Sequence, residues 1–165
     1  MRRATRLALL LACTLAPLAR AEAGVRPRFG GTATAAAPAT GSDPGEAVDA
    51  PARFVAGLLH QPPLDRASDG TLAPVLLEEV PRAADGVRFV LRLRAGARFH
   101  DGRPIRAADL AATLRRLEAG PWAALVLPVR SIAVRDERTL EVRLAHPQPR
   151  WPEALAEVAA GVVPE

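Results

Sequence analysis

Residues 87–109 read V-R-F-V-L-R-L-R-A-G-A-R-F-H-D-G-R-P-I-R-A-A-D, and this stretch decides the fold. In residues 87–94, Val87, Phe89, Leu91 and Leu93 alternate with Arg88, Arg92 and Arg94, which predicts a strand with one face in the core. Gly96 ends that strand, and Arg98-Phe99-His100 predicts a short return strand. Asp101-Gly102 predicts a turn, after which a helix begins. The stretch therefore indicates an antiparallel sheet beside a helix.

The rest of the chain adds further helix and strand patterns. Leu110, Leu114 and Leu117 share one face of a helix predicted from Ala107 to Ala119. Two alternating runs after this helix, joined by Asp136-Glu137-Arg138, predict a hairpin. Together these elements predict a mixed α+β domain with an antiparallel sheet and flanking helices. Weaker patterns predict a short helix with Phe54, Leu58 and Leu59 on one face and turns at Asp69-Gly70 and Asp85-Gly86. The segment from Leu72 to Val80 fits a helix or a strand. Near the end of the sequence, the pattern predicts a final helix from Trp151 to Ala160 and a strand-like start at Val162-Val163.

Composition and charge argue against a nucleic-acid-binding protein. The 165 residues suit one domain, with 49% hydrophobic and 24% charged residues, a net charge of +4 and a pI near 11.0. The positive charge comes from four arginines in residues 1–21, which contain no acid, and the other 18 arginines equal the 18 acidic residues. Arginines and acids are interspersed there, as on an ordinary solvated surface. We therefore expect no nucleic-acid partner.

The N-terminus has the pattern of an export signal. A basic start precedes the apolar run from Leu7 to Leu18, which is too short to span a bilayer. Ala19-Arg20-Ala21 favours cleavage before Glu22, so residues 1–21 are expected to be a signal peptide. The alternative is Cys13, because Leu10-Leu11-Ala12-Cys13 resembles a lipoprotein box. The protein would be anchored to a membrane only if Cys13 is lipidated.

No pattern in the sequence predicts catalysis, a metal site or a cofactor. His100-Asp101 is better explained by turn chemistry than by a base and its orienting acid, because no nucleophile accompanies the pair. The three histidines lack the spacing of a zinc site, and Gly30-Gly31 lacks the rest of a phosphate-binding loop. Trp122 follows a helix end in a loop, where a tryptophan packs in the core or forms a wall of a ligand cleft.

Several segments, in the right order, resemble the extracytoplasmic solute-binding proteins of family 5, the oligopeptide, dipeptide and nickel receptors of ABC importers. The most specific is Phe99-His100-Asp101-Gly102-Arg103-Pro104-Ile105 followed by Ala108-Asp109-Leu110. Val55 and Ala56 replace the usual Tyr and Glu of the family's short helix. The other similar segments are Gly30-Gly31-Thr32, residues 54–59, residues 69–76, Asp85-Gly86 with residues 89–94, residues 130–144 and Val162-Val163-Pro164.

The resemblance implies part of one lobe of a type II periplasmic-binding-protein fold. Such receptors close two lobes on a ligand and deliver it to a permease in the membrane. Residues 22–52 are then expected to be a weakly structured segment with a possible first strand at Thr32 to Ala37, and residues 53–165 a partial first lobe. Since family members continue beyond Glu165, the second lobe and tight clamping of a ligand are expected to be missing. By topology, Thr40 and Gly41 after the first strand and Trp122 after the long helix are the candidate ligand-binding residues.

The function expected from this resemblance is binding of peptides or similar small solutes for an ABC importer, in the periplasm and without catalysis. The alternative is an exported, non-catalytic interaction module derived from such a receptor. A secreted enzyme is the third reading, and the sequence offers no nucleophile or metal set for it.

Overall fold

A three-stranded antiparallel sheet and one long helix organise the computed structural model, which describes Thr34 and residues 41–164. The sheet order is β3-β5-β4, and β1 and β2 form a separate antiparallel pair. These elements belong to one compact unit, Ala36–Glu165. The bounds are α1 (Ala50–Leu59), β1 (Leu64–Arg66), β2 (Leu72–Pro74), β3 (Arg88–Arg92), α2 (Ala107–Glu118), β4 (Val129–Val134) and β5 (Thr139–Leu144), with short 3₁₀ helices at Pro44–Glu46, Ala123–Leu125, Trp151–Ala156 and Val158–Ala160.

The alternating pattern of β3 places its apolar side chains on the inner face of the sheet, as the sequence predicts. Phe89 and Leu91 are fully buried opposite Val142 and Leu140 of β5. The Phe89 ring lies 5.2 Å from the ring of Trp151, centroid to centroid. The buried leucines of α2 join the same hydrophobic cluster. The predicted hairpin, formed by β4 and β5, is likewise confirmed.

The predicted return strand at Arg98-Phe99-His100 is wrong, because these residues form one side of a tight turn. Gly102 takes a φ of 85°, and its N–H donates to the carbonyl of Phe99 at 3.0 Å. The Asp101 carboxylate accepts from the backbone N–H of Arg103 at 2.9 Å. Only a single bridge pairs Arg98 with Pro104. The turn therefore closes on itself too quickly for a ladder of strand hydrogen bonds to form.

Asp109, the last acid of residues 87–109, caps the start of α2. Its carboxylate accepts from the N–H of Arg106 at 2.8 Å, which satisfies a donor at the start of α2. The next N–H, of Ala107, donates to the carbonyl of Glu137 in the loop between β4 and β5 at 2.8 Å. The helix start is thus fixed to the sheet by backbone contacts.

The final helix predicted from Trp151 to Ala160 is instead two 3₁₀ helices. Pro152 supplies no N–H to the first of them, and Glu157 between them is extended, with a φ of −77° and a ψ of 143°. The strand-like start predicted at Val162-Val163 is also wrong, since both residues are irregular. Their backbone N–H groups donate to the Gln61 carbonyl and the Thr113 hydroxyl.

The short helix α1 exposes the apolar face that the sequence pattern assigns to it. Phe54 and Leu58 are 56% and 65% exposed, and Leu59 is also exposed, whereas Ala52 and Ala56 are buried. Small side chains let α1 pack closely on the 3₁₀ helices around it. The helix begins at Ala50, so the expected boundary between residues 52 and 53 falls inside it. The predicted first strand, apart from Thr34, and the N-terminal signal with Cys13 lie outside the described residues.

Candidate ligand-binding surface

The three predicted ligand-binding residues lie in different settings. Thr40 is outside the described residues, and Gly41 is exposed with open space around it. The next residue, Ser42, contacts the Nε2 of His60 through its carbonyl at 2.8 Å, at the end of α1. Trp122 contacts the same helix from the side of Arg53. Arg53 and His60 are seven positions apart, so the two contacts fall about 10 Å apart along α1.

Trp122 is part of a mixed cluster of aromatic, cationic and anionic groups. It is half-buried and precedes the 3₁₀ helix Ala123–Leu125, after the end of α2. The guanidinium carbon of Arg53 lies 5.3 Å from the centre of its indole ring, within cation–π range. The Arg53 Nη2 lies 3.6 Å from a carboxylate oxygen of Glu157. We call Trp122, Arg53 and Glu157 the Trp122 cluster.

The Trp122 cluster keeps its charged groups accessible. The Arg53 and Glu157 side chains are 44% and 36% exposed, and their 3.6 Å contact is long for a charge-assisted hydrogen bond. An exposed pair of this kind contributes little to stability, so exchanging it for other partners costs little. The Trp122 ring itself packs against the hydrophobic core and carries Arg53 over it, so the groups that the cluster presents to solvent are mainly a cation and an anion.

The sequence singles out Trp122 as a candidate, but not Arg53 or Glu157, which the structure places beside it. Arg53 is the sole charged residue of α1, which is the one signal in the sequence that could have singled it out. Glu157 follows the first of two 3₁₀ helices and carries no such signal. The two residues are brought together because the Val158–Ala160 helix, which begins directly after Glu157, packs on α1.

A cavity of about 360 Å³ opens at the other end of α1. Its volume falls in the range of small-molecule sites. Gly161 allows the C-terminal segment to approach α1 here, because a Cβ at this position would lie only 2.8 Å from the Cβ of His60. The lining residues are Gly57, Leu58, Leu59, His60, Gln61, Leu76, Arg98, Phe99, His100, Asp101, Ile105, Val162 and Pro164.

The cavity does not assemble a His-Asp pair. The Asp101 carboxylate instead binds Arg103, accepting from its backbone N–H at 2.9 Å and from its Nε at 2.7 Å. The Arg103 guanidinium, with the backbone N–H, lowers the pKa of Asp101. The interpretation of Asp101-Gly102 as turn chemistry is therefore confirmed.

Among residues 41–164 and Thr34, no group of three or more His, Cys, Asp or Glu side chains is placed to hold a metal ion. Within the same residues, no helix has the length and apolar character needed to cross a membrane.

Comparison with known proteins places the chain in a family. The model of the bacterial extracellular solute-binding proteins, family 5 (middle region), matches residues 71–165. The chain belongs to this family. No curated protein sequence matches it significantly. The family is one of binding proteins, in agreement with the resemblance that the sequence shows.

Solved structures confirm the type II periplasmic-binding-protein fold of this family-5 chain. The A. tumefaciens R10 protein AgaA in complex with agropinic acid has a TM-score of 0.73 and 25% identity, over 78% of this chain and 27% of AgaA. Haemophilus influenzae OppA in complex with the peptide RPPGFSPFR has a TM-score of 0.71 and 23% identity, over 78% of this chain and 29% of OppA. The Escherichia coli murein tripeptide binding protein MppA has a TM-score of 0.68 and 21% identity, over 75% of this chain and 28% of MppA. The chain thus spans less than a third of the length of these neighbours.

Proposed function

We propose that this chain is the solute-binding component of an ABC importer and binds a peptide or similar small solute at the Trp122 cluster. The observation that carries the proposal is the pair of solvent-accessible charged groups beside the half-buried Trp122 ring, with the guanidinium of Arg53 above that ring and Glu157 beside the guanidinium. A zwitterionic solute carries groups complementary to each of them: its carboxylate suits Arg53, its ammonium suits Glu157, and an apolar part suits the indole.

The relatives support the solute class. One structural neighbour holds a nonapeptide, one is a murein tripeptide receptor, and one holds agropinic acid. Gly41, with open space around it, would border the solute at the far end of α1. Thr40 stays a candidate only by its position in the sequence. A permease partner in the membrane and a periplasmic location are part of the proposal, and membership of a family of extracellular solute-binding proteins supports them. Catalysis forms no part of the proposal.

Tryptophan fluorescence offers a direct test, because the chain has two tryptophans in unlike settings. Trp151 is 4% exposed and should not respond to a solute, whereas Trp122 should. Titration of the purified full chain with a mixture of short peptides should change the emission in a saturable way. Trp122→Phe should remove this change, and Arg53→Gln should weaken binding about tenfold, as expected for the loss of one charged contact.

Arg115→Gln is the matched control for Arg53→Gln. Arg115 is also an exposed helical arginine, on α2, and its loss should leave peptide affinity unchanged. Absence of saturable peptide binding in a chain shown by circular dichroism to be folded would contradict the proposal. That result would favour the alternative of an interaction module without transport. Intact mass of the exported protein would separately distinguish cleavage after Ala21 from lipidation at Cys13.

A further inference from the structure

The outer face of the three-stranded sheet gathers arginines from β3, from β5 and from the residue that follows β4. The register places Arg88 opposite Arg143, and Glu141 between Val90 and Ala133. Arg135 follows β4 directly and reaches the same carboxylate as the other two arginines. Arg88, Arg135, Arg143 and Glu141 form what we call the Glu141 cluster.

Glu141 holds the three guanidinium groups in fixed positions. Its side chain is only 3% exposed, although it stands on the outer face, because the arginines cover it. The Arg88 Nη2 lies 2.8 Å from Oε2 of Glu141, and the Arg135 Nη2 lies 3.0 Å from the same oxygen. The Arg143 Nε lies 2.9 Å from the other oxygen. One carboxylate thus orients three cations.

Most of the donors in the Glu141 cluster are free for another acceptor. A guanidinium has five N–H groups, and each of these arginines directs only one or two nitrogens at Glu141. In residues 41–164, no other acceptor bonds to these three side chains. They are 52%, 54% and 55% exposed, so the remaining N–H groups face solvent.

The Glu141 cluster carries two positive charges more than negative ones. Arg92 stands on the same face and adds a third. The acids at the rim are Asp85, whose carboxylate accepts from the backbone N–H groups of Val87 and Arg88, and Asp136, which accepts from that of Arg138. With both rim acids counted, the face keeps one positive charge more than negative ones. A cluster of guanidinium groups with a positive surplus suits an anion with several acceptor oxygens, and phosphate in particular.

We propose that the Glu141 cluster is a binding site for a phosphate group, carried by a soluble phosphate or by a lipid headgroup. Binding would neutralise the surplus charge and fill the solvent-facing donors. Because Glu141 already holds the guanidinium groups, little side-chain entropy is lost when the anion binds. The site lies on the outer face of the sheet and is independent of the Trp122 cluster in both residues and proposed ligand.

The test is a titration of the purified full chain with inorganic phosphate at constant ionic strength, with chloride as the reference salt. The arginine side-chain N–H signals are followed by NMR. We expect saturable shifts for Arg88, Arg135 and Arg143. Arg143→Lys keeps the charge and the pairing with Glu141 but loses the fork of donors, and should weaken phosphate binding at least threefold. Arg88→Gln should weaken it at least fivefold, and Arg115→Gln, which makes the same charge change on α2, should leave it unaltered.

A second arm identifies the source of the phosphate. Vesicles of phosphatidylglycerol mixed with phosphatidylcholine should retain the wild-type chain more than the Arg88→Gln variant if the source is a lipid headgroup. Saturable binding of inorganic phosphate without such retention assigns a soluble phosphate. The proposal is overturned if phosphate and chloride give the same shifts and the vesicles retain both proteins equally, or if Arg115→Gln weakens binding as much as Arg88→Gln does.

Discussion

Gly86 and Gly102 show at the scale of single residues how Asp-Gly turns constrain this fold. Both have positive φ values, of 65° and 85°, and both follow an aspartate that accepts backbone N–H groups. Their surroundings differ. A Cβ at Gly102 would meet nothing within 4 Å, whereas one at Gly86 would lie 3.3 Å from Pro147 and 3.4 Å from Pro149.

Alanine at the two glycines should therefore have unequal effects. Gly102→Ala is expected to cost about 1 kcal/mol, which is the backbone penalty alone. Gly86→Ala is expected to cost about 2 kcal/mol or more, because the neighbouring prolines must also shift. Urea denaturation of the two variants measures both values. Equal losses would show that the prolines do not restrict the turn.

At the scale of elements, the two aromatic residues Phe54 and Phe89 occupy opposite environments. Phe89 is fully buried on β3 against Trp151, and Phe54 is 56% exposed on α1. Phe89→Ala should cost about 3–5 kcal/mol through lost burial and the cavity it leaves. Phe54→Ala, the matched control, should change the free energy of unfolding by no more than about 0.5 kcal/mol. A large loss on Phe54→Ala would mean that this helix face is covered in the folded protein.

At the scale of the whole molecule, paired carboxylates should make stability fall in acid. Hydrogen bonds from the Arg88 and Arg143 guanidinium groups lower the pKa of Glu141 from its ordinary 4.5 to about 2. The unfolded chain then binds more protons than the folded one between these values, so the stabilisation is complete above pH 4.5 and is lost as the pH falls toward 2. Hydrogen bonds accepted from Arg88, Arg103 and Arg138 also lower the pKa values of Asp85, Asp101 and Asp136.

Thermal unfolding between pH 6 and pH 2.5 measures this effect. The wild-type melting temperature should fall steadily below pH 4.5, and Glu141→Gln should make the fall shallower while lowering the melting temperature by a few degrees at pH 6. Asp65→Asn is a suitable control, since Asp65 is exposed and forms no ion pair with another side chain of residues 41–164. A variant curve parallel to the wild-type curve would contradict the role given to Glu141.

The sequence by itself determined the elements whose signals are local. Alternation in β3, the leucine face of α2, the hairpin and the Asp-Gly turns follow from periodicity and from the φ values that glycine permits. The ordered motifs also sufficed to indicate the family. The sequence also marks Trp122 as a candidate ligand-binding residue, because it follows a helix end.

Only the tertiary structure decided where side chains from distant segments meet. Periodicity assigns residues to a face but does not say whether that face is covered, so it could not foresee that Phe54 and Leu58 are exposed. Arg53 and Glu157 meet through packing of a late 3₁₀ helix on α1. Arginines and acids that balance along the chain become a basic outer face, because strand register brings Arg88, Arg135 and Arg143 around one buried carboxylate.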